Sequence, residues 1–152
     1  MQLSIVIPLY NEQNSLKELN ETIEKVVSAM GIEYELIYID DGSNDNSWNV
    51  IKNIAKESDQ IKGIKFLRNF GKSQALSAGF KSAKGDVIIT MDADLQDDPN
   101  EIPDFFKGIN KENFDVISGW KKKRHDSFIF KNFPSKIFNW AARKTSGIKL
   151  ND

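Results

Sequence analysis

Two carboxylates one residue apart form the strongest chemical signal in the sequence. Asp92 and Asp94 follow a short apolar run, residues 87–89, that is typical of a buried strand. Like charges this close repel one another, and a hard divalent cation relieves the repulsion. Mg²⁺ typically takes a few carboxylates and completes its shell with phosphate oxygens of a substrate. The pattern therefore predicts a site for Mg²⁺ or Mn²⁺ that also faces a phosphate-bearing ligand.

The acidic residues that come next have a simpler explanation. Asp98 precedes Pro99, and Glu101 follows three residues after Asp98, which together form a strong helix start signal. We therefore expect Asp97 and Asp98 to belong to an acidic loop that caps a helix. The same capping explanation is weak for Asp92 and Asp94, since they come directly after the predicted strand.

Two further polar turns also follow predicted strands. The turn Asp40-Asp41-Gly42-Ser43 offers a carboxylate that can accept hydrogen bonds from a base or a ribose. In the first turn, Tyr10 is suited to stacking on a planar base and Glu12 to hydrogen bonding with it. Each turn is a weak signal alone, because Asp-Gly-Ser is common turn chemistry and Asn11 also suits a helix N-cap.

The apolar pattern predicts the elements that position these turns. Strands are predicted at residues 3–8, 34–39, 61–67, 86–91 and 114–118, and helices begin at Asn11, after Ser43, at Lys72 and after Asp98. Gly31 is the expected stop of the first helix. This alternation predicts a three-layer α/β/α architecture around a mostly parallel, Rossmann-like sheet. Right-handed crossovers place the strand carboxyl ends along one edge, which is where ligands bind in such sheets.

Composition excludes several kinds of site. The chain has 152 residues, of which 39% are hydrophobic and 28% charged, as is ordinary for a single globular domain. It has no cysteine, which rules out disulfides, thiolate metal sites and a cysteine nucleophile. His125 is the only histidine, so a multi-histidine zinc site within the chain is excluded as well.

Charge is distributed unevenly along the chain. Residues 1–119 carry 12 Lys and Arg against 20 Asp and Glu, whereas residues 120–150 carry nine Lys and Arg against Asp126 alone. The asymmetry predicts an anionic partner for the C-terminal stretch, and a solvated basic helix is the plainer alternative. The sequence begins with neither a basic leader nor a long apolar run, so we expect a location in the cytoplasm or on the cytoplasmic face of the membrane.

The three turns are far more specific in combination. Their order and spacing resemble those of the family 2 glycosyltransferases, which have the fold called GT-A. Two motifs, Arg68-Asn69-Phe70-Gly71-Lys72 and the run from Asp92 to Pro99, are similar to the polyprenyl-phosphate branch of that family. The stretch that starts at Ser118-Gly119-Trp120-Lys121 resembles the segment that follows in the same branch.

The resemblance implies a role for individual residues of the donor site. The expected nucleotide-sugar-binding set comprises Pro8, Tyr10, Glu12, Asp41, Lys72 and Asp92. Asp94 and Gln96 match the metal-coordinating pair, and Asp92 lies near both the ribose and the metal. The expected cofactor is Mg²⁺ or Mn²⁺.

The resemblance also assigns residues to catalysis and to the acceptor. The expected catalytic set is Asp94, Lys121, Arg124 and Arg143, and the acceptor phosphate is assigned to Ser135 and Arg143. Lys121 stands where many members of the branch have arginine. Lysine keeps the charge but loses the bidentate geometry of arginine.

The implied reaction needs no general base. A lipid phosphate, already ionised at neutral pH, attacks the anomeric carbon directly, so the centre inverts while a metal stabilises the departing nucleotide. The expected donor is a UDP-sugar, with a GDP-sugar as the alternative, and the expected acceptor is a polyprenyl phosphate. The aromatic residues after Trp120 suit either a membrane surface or packing against a further part of the protein. No nucleic-acid partner is expected.

The expected domain organisation is a nucleotide-sugar-binding GT-A core at residues 1–119 and a basic, aromatic acceptor-side segment at residues 120–152. We expect the rest of the catalytic domain and any membrane anchor to follow Asp152 in a longer protein.

Other functions share part of this sequence pattern. A family 2 enzyme that acts on a saccharide hydroxyl shares every donor motif but needs a carboxylate base, expected beyond Asp152. A dinucleotide-dependent oxidoreductase and a phosphate-loop nucleotidase are disfavoured, because G-x-G-x-x-G does not follow the first strand and G-x-x-x-x-G-K-[ST] does not occur. A nucleotide-binding module without activity stays open for this stretch of chain alone.

Overall fold

The computed structural model describes residues 1–112 and 114–119. The chain forms two compact units, Met1–Asp115 and Val116–Asp152, and every helix and strand described below lies in the first. In chain order these are β1 Leu3–Leu9, α1 Leu16–Ala29, β2 Tyr34–Asp40, α2 Ser47–Glu57, β3 Ile61–Lys65, α3 Lys72–Ser82, β4 Val87–Thr90, a 3₁₀ helix Pro99–Glu101 and α4 Ile102–Glu112.

The strands form one sheet in the order β3-β2-β1-β4, and every neighbouring pair is parallel. All residues of β1 and β2 are buried. Such near-continuous apolar strands are expected where helices cover both faces of a parallel sheet. At the carboxyl edge, Leu9 of β1 pairs with Asp40 of β2. The turns that the sequence singles out follow directly after these two residues.

Side chains of β1 alternate between two apolar layers. Ile5 and Ile7 belong to a core with α1, α2 and α4, whereas Val6 packs in a second core with Ala75 of α3. The predicted three-layer α/β/α fold is therefore confirmed. Helix α3 approaches the sheet so closely that a Cβ atom on Gly79 would lie 2.3 Å from Cγ1 of Val6.

A buried carboxylate ties the amino edge of the sheet together. Glu35 on β2 is 1% exposed and accepts hydrogen bonds from Ser4 Oγ at 2.7 Å, Lys62 Nζ at 2.5 Å and the Lys84 backbone N–H at 2.7 Å. Burial acts to raise the pKa of Glu35, but the bonds from Lys62, Ser4 and Lys84 together outweigh it, so the pKa is lowered. One charged group thus connects β1, β2, β3 and the loop before β4.

The start of the first helix differs from the prediction. Helix α1 begins at Leu16, with Ser15 rather than Asn11 at the N-cap. Asn11 adopts a left-handed backbone conformation with φ of 60°, and its side chain accepts the backbone N–H of Asn44. Asparagine tolerates this conformation better than most residues, so Asn11 serves a turn between loops rather than a helix end. The predicted stop is confirmed, as Gly31 follows α1 with φ of 64°.

The strand predicted at residues 114–118 does not form. Residues 114–119 have no strand conformation, and both Phe114 and Val116 are exposed. Aromatic and β-branched residues favour an extended backbone, but a strand also requires a neighbouring backbone with which to pair. Within the residues that the structure describes, no helix is both long and apolar enough to span a membrane.

Candidate functional site

The carboxyl edge of the sheet opens onto a cavity of about 390 Å³. Its lining residues are Pro8, Leu9, Tyr10, Glu12, Asp41, Asn69, Gly71, Lys72, Ala75, Asp92, Ala93 and Asp94. The volume falls within the usual range for small-molecule sites. All the residues that the sequence assigns to the nucleotide sugar line this one cavity. They come from β1 and the loop after it, the loop after β2, the start of α3 and the loop after β4.

Tyr10 is fixed at the rim by a neighbouring loop. Its hydroxyl accepts a hydrogen bond from Asn44 Nδ2 at 3.1 Å, and its side chain is 42% exposed. The next residue, Asn11, donates its backbone N–H to Ser43 Oγ at 2.9 Å and accepts that of Asn44 at 2.8 Å. The loops after β1 and β2 are therefore joined where they meet the cavity, which leaves an aromatic side chain accessible to a ligand.

Further hydrogen bonds join the same two loops. Asp45 accepts the backbone N–H of Gln13 at 3.1 Å and that of Ser47 at 2.9 Å, while Ser47 Oγ accepts the N–H of Glu12 at 2.9 Å. Burial acts to raise the pKa of Asp45, but the bonds from Ser47 and Gln13 dominate and lower it. These contacts bind the backbone N–H groups of Glu12 and Gln13, and α1 starts after them at Leu16.

Sequence reasoning missed the roles of Asn44, Asp45 and Ser47. The available signal was the density of Asn, Asp and Ser in both loops, because these side chains readily bond to nearby backbone groups.

Asp41 has a structural task besides its expected contact with a nucleoside. It is 4% exposed, and its two carboxylate oxygens accept the backbone N–H groups of Phe70 at 2.8 Å and Gly71 at 2.9 Å. Gly42 follows with φ of 73°, and a Cβ atom there would lie 2.3 Å from the backbone carbon of Arg68. Asp41 therefore builds one wall of the cavity. Each oxygen retains a lone pair, so the predicted ligand contact stays a prediction.

Asp92 forms an ion pair with a lysine of the same chain. Its Oδ1 lies 2.5 Å from Nζ of Lys72, at the start of α3. Its backbone N–H donates to Oδ2 of Asp97 at 2.9 Å. Asp97 thus supports the turn that presents Asp92. The expected cap at Asp98 is confirmed, since its Oδ1 accepts the backbone N–H of Asn100 at 2.9 Å.

Asp94 faces the same cavity as Asp92, but Gln96 does not line it. The Gln96 side chain is exposed, and its backbone N–H donates to Asp94 Oδ1 at 3.1 Å. Between them, Leu95 adopts a left-handed conformation with φ of 62°. A metal-binding role for Gln96 therefore stays a prediction.

The acidic pair brings two carboxylates to the cavity, which is fewer than a complete set of metal ligands. Among the described residues, no group of three or more His, Cys, Asp and Glu side chains is arranged to hold a metal ion. Asp92 and Asp94 are hard oxygen donors on one cavity wall. Such a pair fits an ion that takes one or two carboxylates and completes its shell with phosphate oxygens and water.

Four of the predicted residues lie outside the described part of the chain. They are the catalytic and acceptor residues Lys121, Arg124, Ser135 and Arg143. Their roles stay predictions.

Curated relatives match almost the whole chain. The undecaprenyl-phosphate 4-deoxy-4-formamido-L-arabinose transferase of Shewanella sediminis is 43% identical over 99% of this chain and 45% of its own length. The dodecaprenyl-phosphate galacturonate synthase of Rhizobium johnstonii is 35% identical over 100% of this chain and 45% of its own length. The chain thus spans less than half of these relatives. The resemblance to the polyprenyl-phosphate branch is confirmed.

Solved structures agree on the fold. S. aureus TarS 1-349 in complex with UDP-GlcNAc superposes with a TM-score of 0.66 at 20% identity, covering 86% of this chain and 38% of TarS. The mannosyltransferase PcManGT from Pyrobaculum calidifontis, in complex with GDP-Man and Mn²⁺, gives 0.63 at 20% identity, covering 71% of this chain and 32% of PcManGT. This similarity confirms the GT-A fold.

The profile of the family described as "Glycosyl transferase family 2" matches residues 4–151. This match includes every turn that lines the cavity, and the chain belongs to glycosyl transferase family 2.

Proposed function

We propose that this chain forms the donor-binding part of a glycosyltransferase that moves a sugar from a nucleotide diphosphate sugar to a polyprenyl phosphate. The observation that carries the proposal is the single cavity on which the expected base-binding residues and the acidic pair converge. Two relatives are named as transferases or synthases of polyprenyl-phosphate-linked sugars. The chain spans less than half of the length of these relatives, so donor binding is proposed for this chain and the complete transfer for the full-length protein.

The base lies at the Tyr10 end of the cavity. Tyr10 stacks on its plane, and Glu12 and Asp41 offer acceptors to the base or ribose. The preferred donor is a UDP-sugar, and a GDP-sugar is the alternative. Both nucleotides occur in neighbours of the same fold, UDP-GlcNAc with TarS and GDP-Man with PcManGT.

The diphosphate lies at the Asp92 and Asp94 end. We propose that these carboxylates, with Gln96, hold Mg²⁺ or Mn²⁺ together with phosphate oxygens of the donor. An ion held there would supply electrostatic stabilisation for the charge that develops on the leaving nucleotide diphosphate. PcManGT, which has the same fold, is described with Mn²⁺.

The acceptor phosphate attacks directly. Its oxygen forms a bond to the anomeric carbon while the bond from that carbon to the donor diphosphate breaks, which inverts the centre. A phosphate monoester carries about 1.5 to 2 negative charges at neutral pH, so no side chain has to remove a proton. Lys121, Arg124, Ser135 and Arg143 bind the acceptor phosphate or the donor diphosphate in this proposal.

The C-terminal segment adjoins a membrane in this proposal. Residues 120–150 combine nine basic residues with interleaved aromatic residues, a composition suited to the surface of an anionic bilayer. The proposed location is the cytoplasmic face of the cell membrane.

Calorimetric titration tests the donor site. UDP and GDP are titrated into the chain with and without Mn²⁺, using wild type, Asp94→Asn and the charge-matched control Asp86→Asn at an exposed position. Mn²⁺ should tighten binding of the preferred nucleotide by at least about tenfold, because a cation held by the acidic pair would attract the phosphates electrostatically. Asp94→Asn should lose this gain and Asp86→Asn should keep it. Equal affinity with and without Mn²⁺ would contradict the metal site.

The acceptor is tested with the longer protein that contains this chain. Purified protein in detergent is given radiolabelled nucleotide sugar with either undecaprenyl phosphate or a saccharide acceptor. Label should enter the lipid fraction only with undecaprenyl phosphate. Transfer to the saccharide hydroxyl alone would favour the other acceptor class and reject the lipid phosphate.

A further inference from the structure

The ion pair between Lys72 and Asp92 lies on the wall of the donor cavity. Nζ of Lys72 and Oδ1 of Asp92 are 2.5 Å apart, and the side chains are 59% and 37% exposed. Both residues line the cavity beside Asp94. A cation of the protein therefore already occupies one of the two carboxylates that the proposed function assigns to a metal ion.

Each partner of this pair is anchored by a second carboxylate. Asp41 accepts the backbone N–H of Gly71, the residue directly before Lys72. Asp97 accepts the backbone N–H of Asp92 itself. The starting points of both side chains are thus fixed by hydrogen bonds, so the pairing of Lys72 with Asp92 follows from how α3 and the turn after β4 are positioned.

We propose that Lys72 is a resident counter-ion of Asp92 that couples metal binding to binding of the donor diphosphate. This inference rests on the proposed function. A divalent ion and an ammonium group on the same carboxylate repel each other, so Lys72 weakens binding of the metal alone. An arriving diphosphate offers Lys72 a new anionic partner, which frees Asp92 for the metal.

Positive coupling between the two ligands follows. If the diphosphate releases Lys72 from Asp92, it raises the affinity for metal, and the metal raises the affinity for the diphosphate by the same factor. In the resting state Lys72 offsets the charge of Asp92, and in the loaded state it contacts the donor phosphates.

Manganese binding without nucleotide is the direct test. Free Mn²⁺ is measured by electron paramagnetic resonance during titration of wild type, Lys72→Met and Lys81→Met. Lys81 is a matched control, because it is an exposed lysine near the other end of the same helix. Lys72→Met should bind Mn²⁺ about tenfold more tightly than wild type, as expected for removing one positive charge near a divalent ion. Lys81→Met should match wild type.

Two further titrations separate this role from a merely structural one. Saturating UDP should raise Mn²⁺ affinity strongly in wild type and Lys81→Met but much less in Lys72→Met, since no resident cation remains to be displaced. In an Asp92→Asn background, Lys72→Met should give no gain in Mn²⁺ affinity. A gain there would show that Lys72 acts elsewhere and would overturn the proposal.

The proposal is also overturned if Lys72→Met binds Mn²⁺ no more tightly than wild type in a titration up to millimolar Mn²⁺. A failure of the proposed function looks different. Wild type would then fail to bind UDP or GDP even with Mn²⁺. The Mn²⁺ affinities of wild type and Lys72→Met without nucleotide would still decide whether Lys72 competes with the metal for Asp92.

Discussion

Asp41, at the carboxyl end of β2, accepts the backbone N–H of Gly71 at 2.9 Å and so fixes the residue that precedes α3. The neighbouring N–H of Phe70 bonds to the other oxygen at 2.8 Å. Asp41, which the sequence assigns to the nucleoside, therefore also positions the loop that contains Asn69 and Gly71. Both of these residues line the cavity.

Asp41→Asn should destabilise the fold. The amide retains one acceptor but turns a donor toward a backbone N–H, so one buried bond to a charged group is lost. Such a loss costs about 1 to 3 kcal/mol in the free energy of unfolding. Urea denaturation followed by circular dichroism measures it. Asp86→Asn, which removes a charge from an exposed position, should stay within about 0.5 kcal/mol of wild type. Equal stability of the two variants would show that the hydrogen bonds of Asp41 to Phe70 and Gly71 do not contribute measurably to the free energy of unfolding.

Tyr10→Ala should weaken binding of the preferred nucleotide diphosphate by about 1 to 3 kcal/mol, the range for stacking of a base on an aromatic side chain. Tyr10→Phe is the matched control, since it keeps the ring and removes only the hydroxyl that accepts from Asn44. It should bind nearly as well as wild type. Calorimetry in the presence of Mn²⁺ compares the three proteins. A loss in Tyr10→Phe as large as that in Tyr10→Ala would assign the effect to the bond with Asn44 rather than to stacking.

Glu35 should make stability depend on pH in the acid range. Its pKa is lowered in the folded protein, because the bonds from Lys62, Ser4 and Lys84 outweigh the opposing effect of burial. A lowered folded pKa gives stability that is fully present above the unfolded value of about 4.3 and is lost as the pH falls through the folded pKa. Urea midpoints between pH 7 and pH 3 should therefore fall with decreasing pH in wild type.

The contribution of Glu35 is isolated by substitution. Glu35→Gln should be less stable at pH 7 and should show a smaller fall below pH 4.5, because the group that titrates is gone. Glu57→Gln, at an exposed position near the end of α2, should keep the wild-type fall. If Glu35→Gln and wild type lose stability in parallel as the pH drops, the acid dependence arises at other carboxylates.

Gly79→Ala should destabilise the contact between α3 and the sheet. The added methyl group would lie 2.3 Å from Cγ1 of Val6, which is fully buried. Overpacking typically costs about 1 to 3 kcal/mol, which outweighs the roughly 1 kcal/mol that alanine gains over glycine in a helix. Thermal denaturation should show a lower Tm. Combining Gly79→Ala with Val6→Ala should cost less than the sum of the two single changes, and simple additivity would argue against a steric cause.

Much of the fold could be predicted from the sequence. The apolar runs around Ile5 and Ile37 identify the buried strands, and their alternation with amphipathic helices leads to a parallel sheet whose carboxyl edge binds ligands. Pro99 and the preceding Asp98 mark a helix start that the structure confirms. Local chemistry determines these features, so a local pattern reveals them.

Other features depend on partners distant in the sequence. Asn11 is a residue type that suits a helix cap. Its side chain instead accepts the backbone N–H of Asn44, 33 residues away, and so joins two loops. The run at residues 114–118 has the composition of a strand, yet strand formation depends on a backbone with which to pair.

The sequence by itself determined the family, the parallel architecture and the acidic pair Asp92 and Asp94, because these follow from local patterns and from the spacing of motifs. The tertiary structure alone decided that Lys72 pairs with Asp92 and that Asp41 bonds to the loop before α3. Residues 20 and about 30 positions apart become neighbours only when parallel strands bring their carboxyl ends to one edge. The residue types therefore indicated the chemistry of the cavity, whereas the packing of α3 against the sheet determined that Lys72 pairs with Asp92.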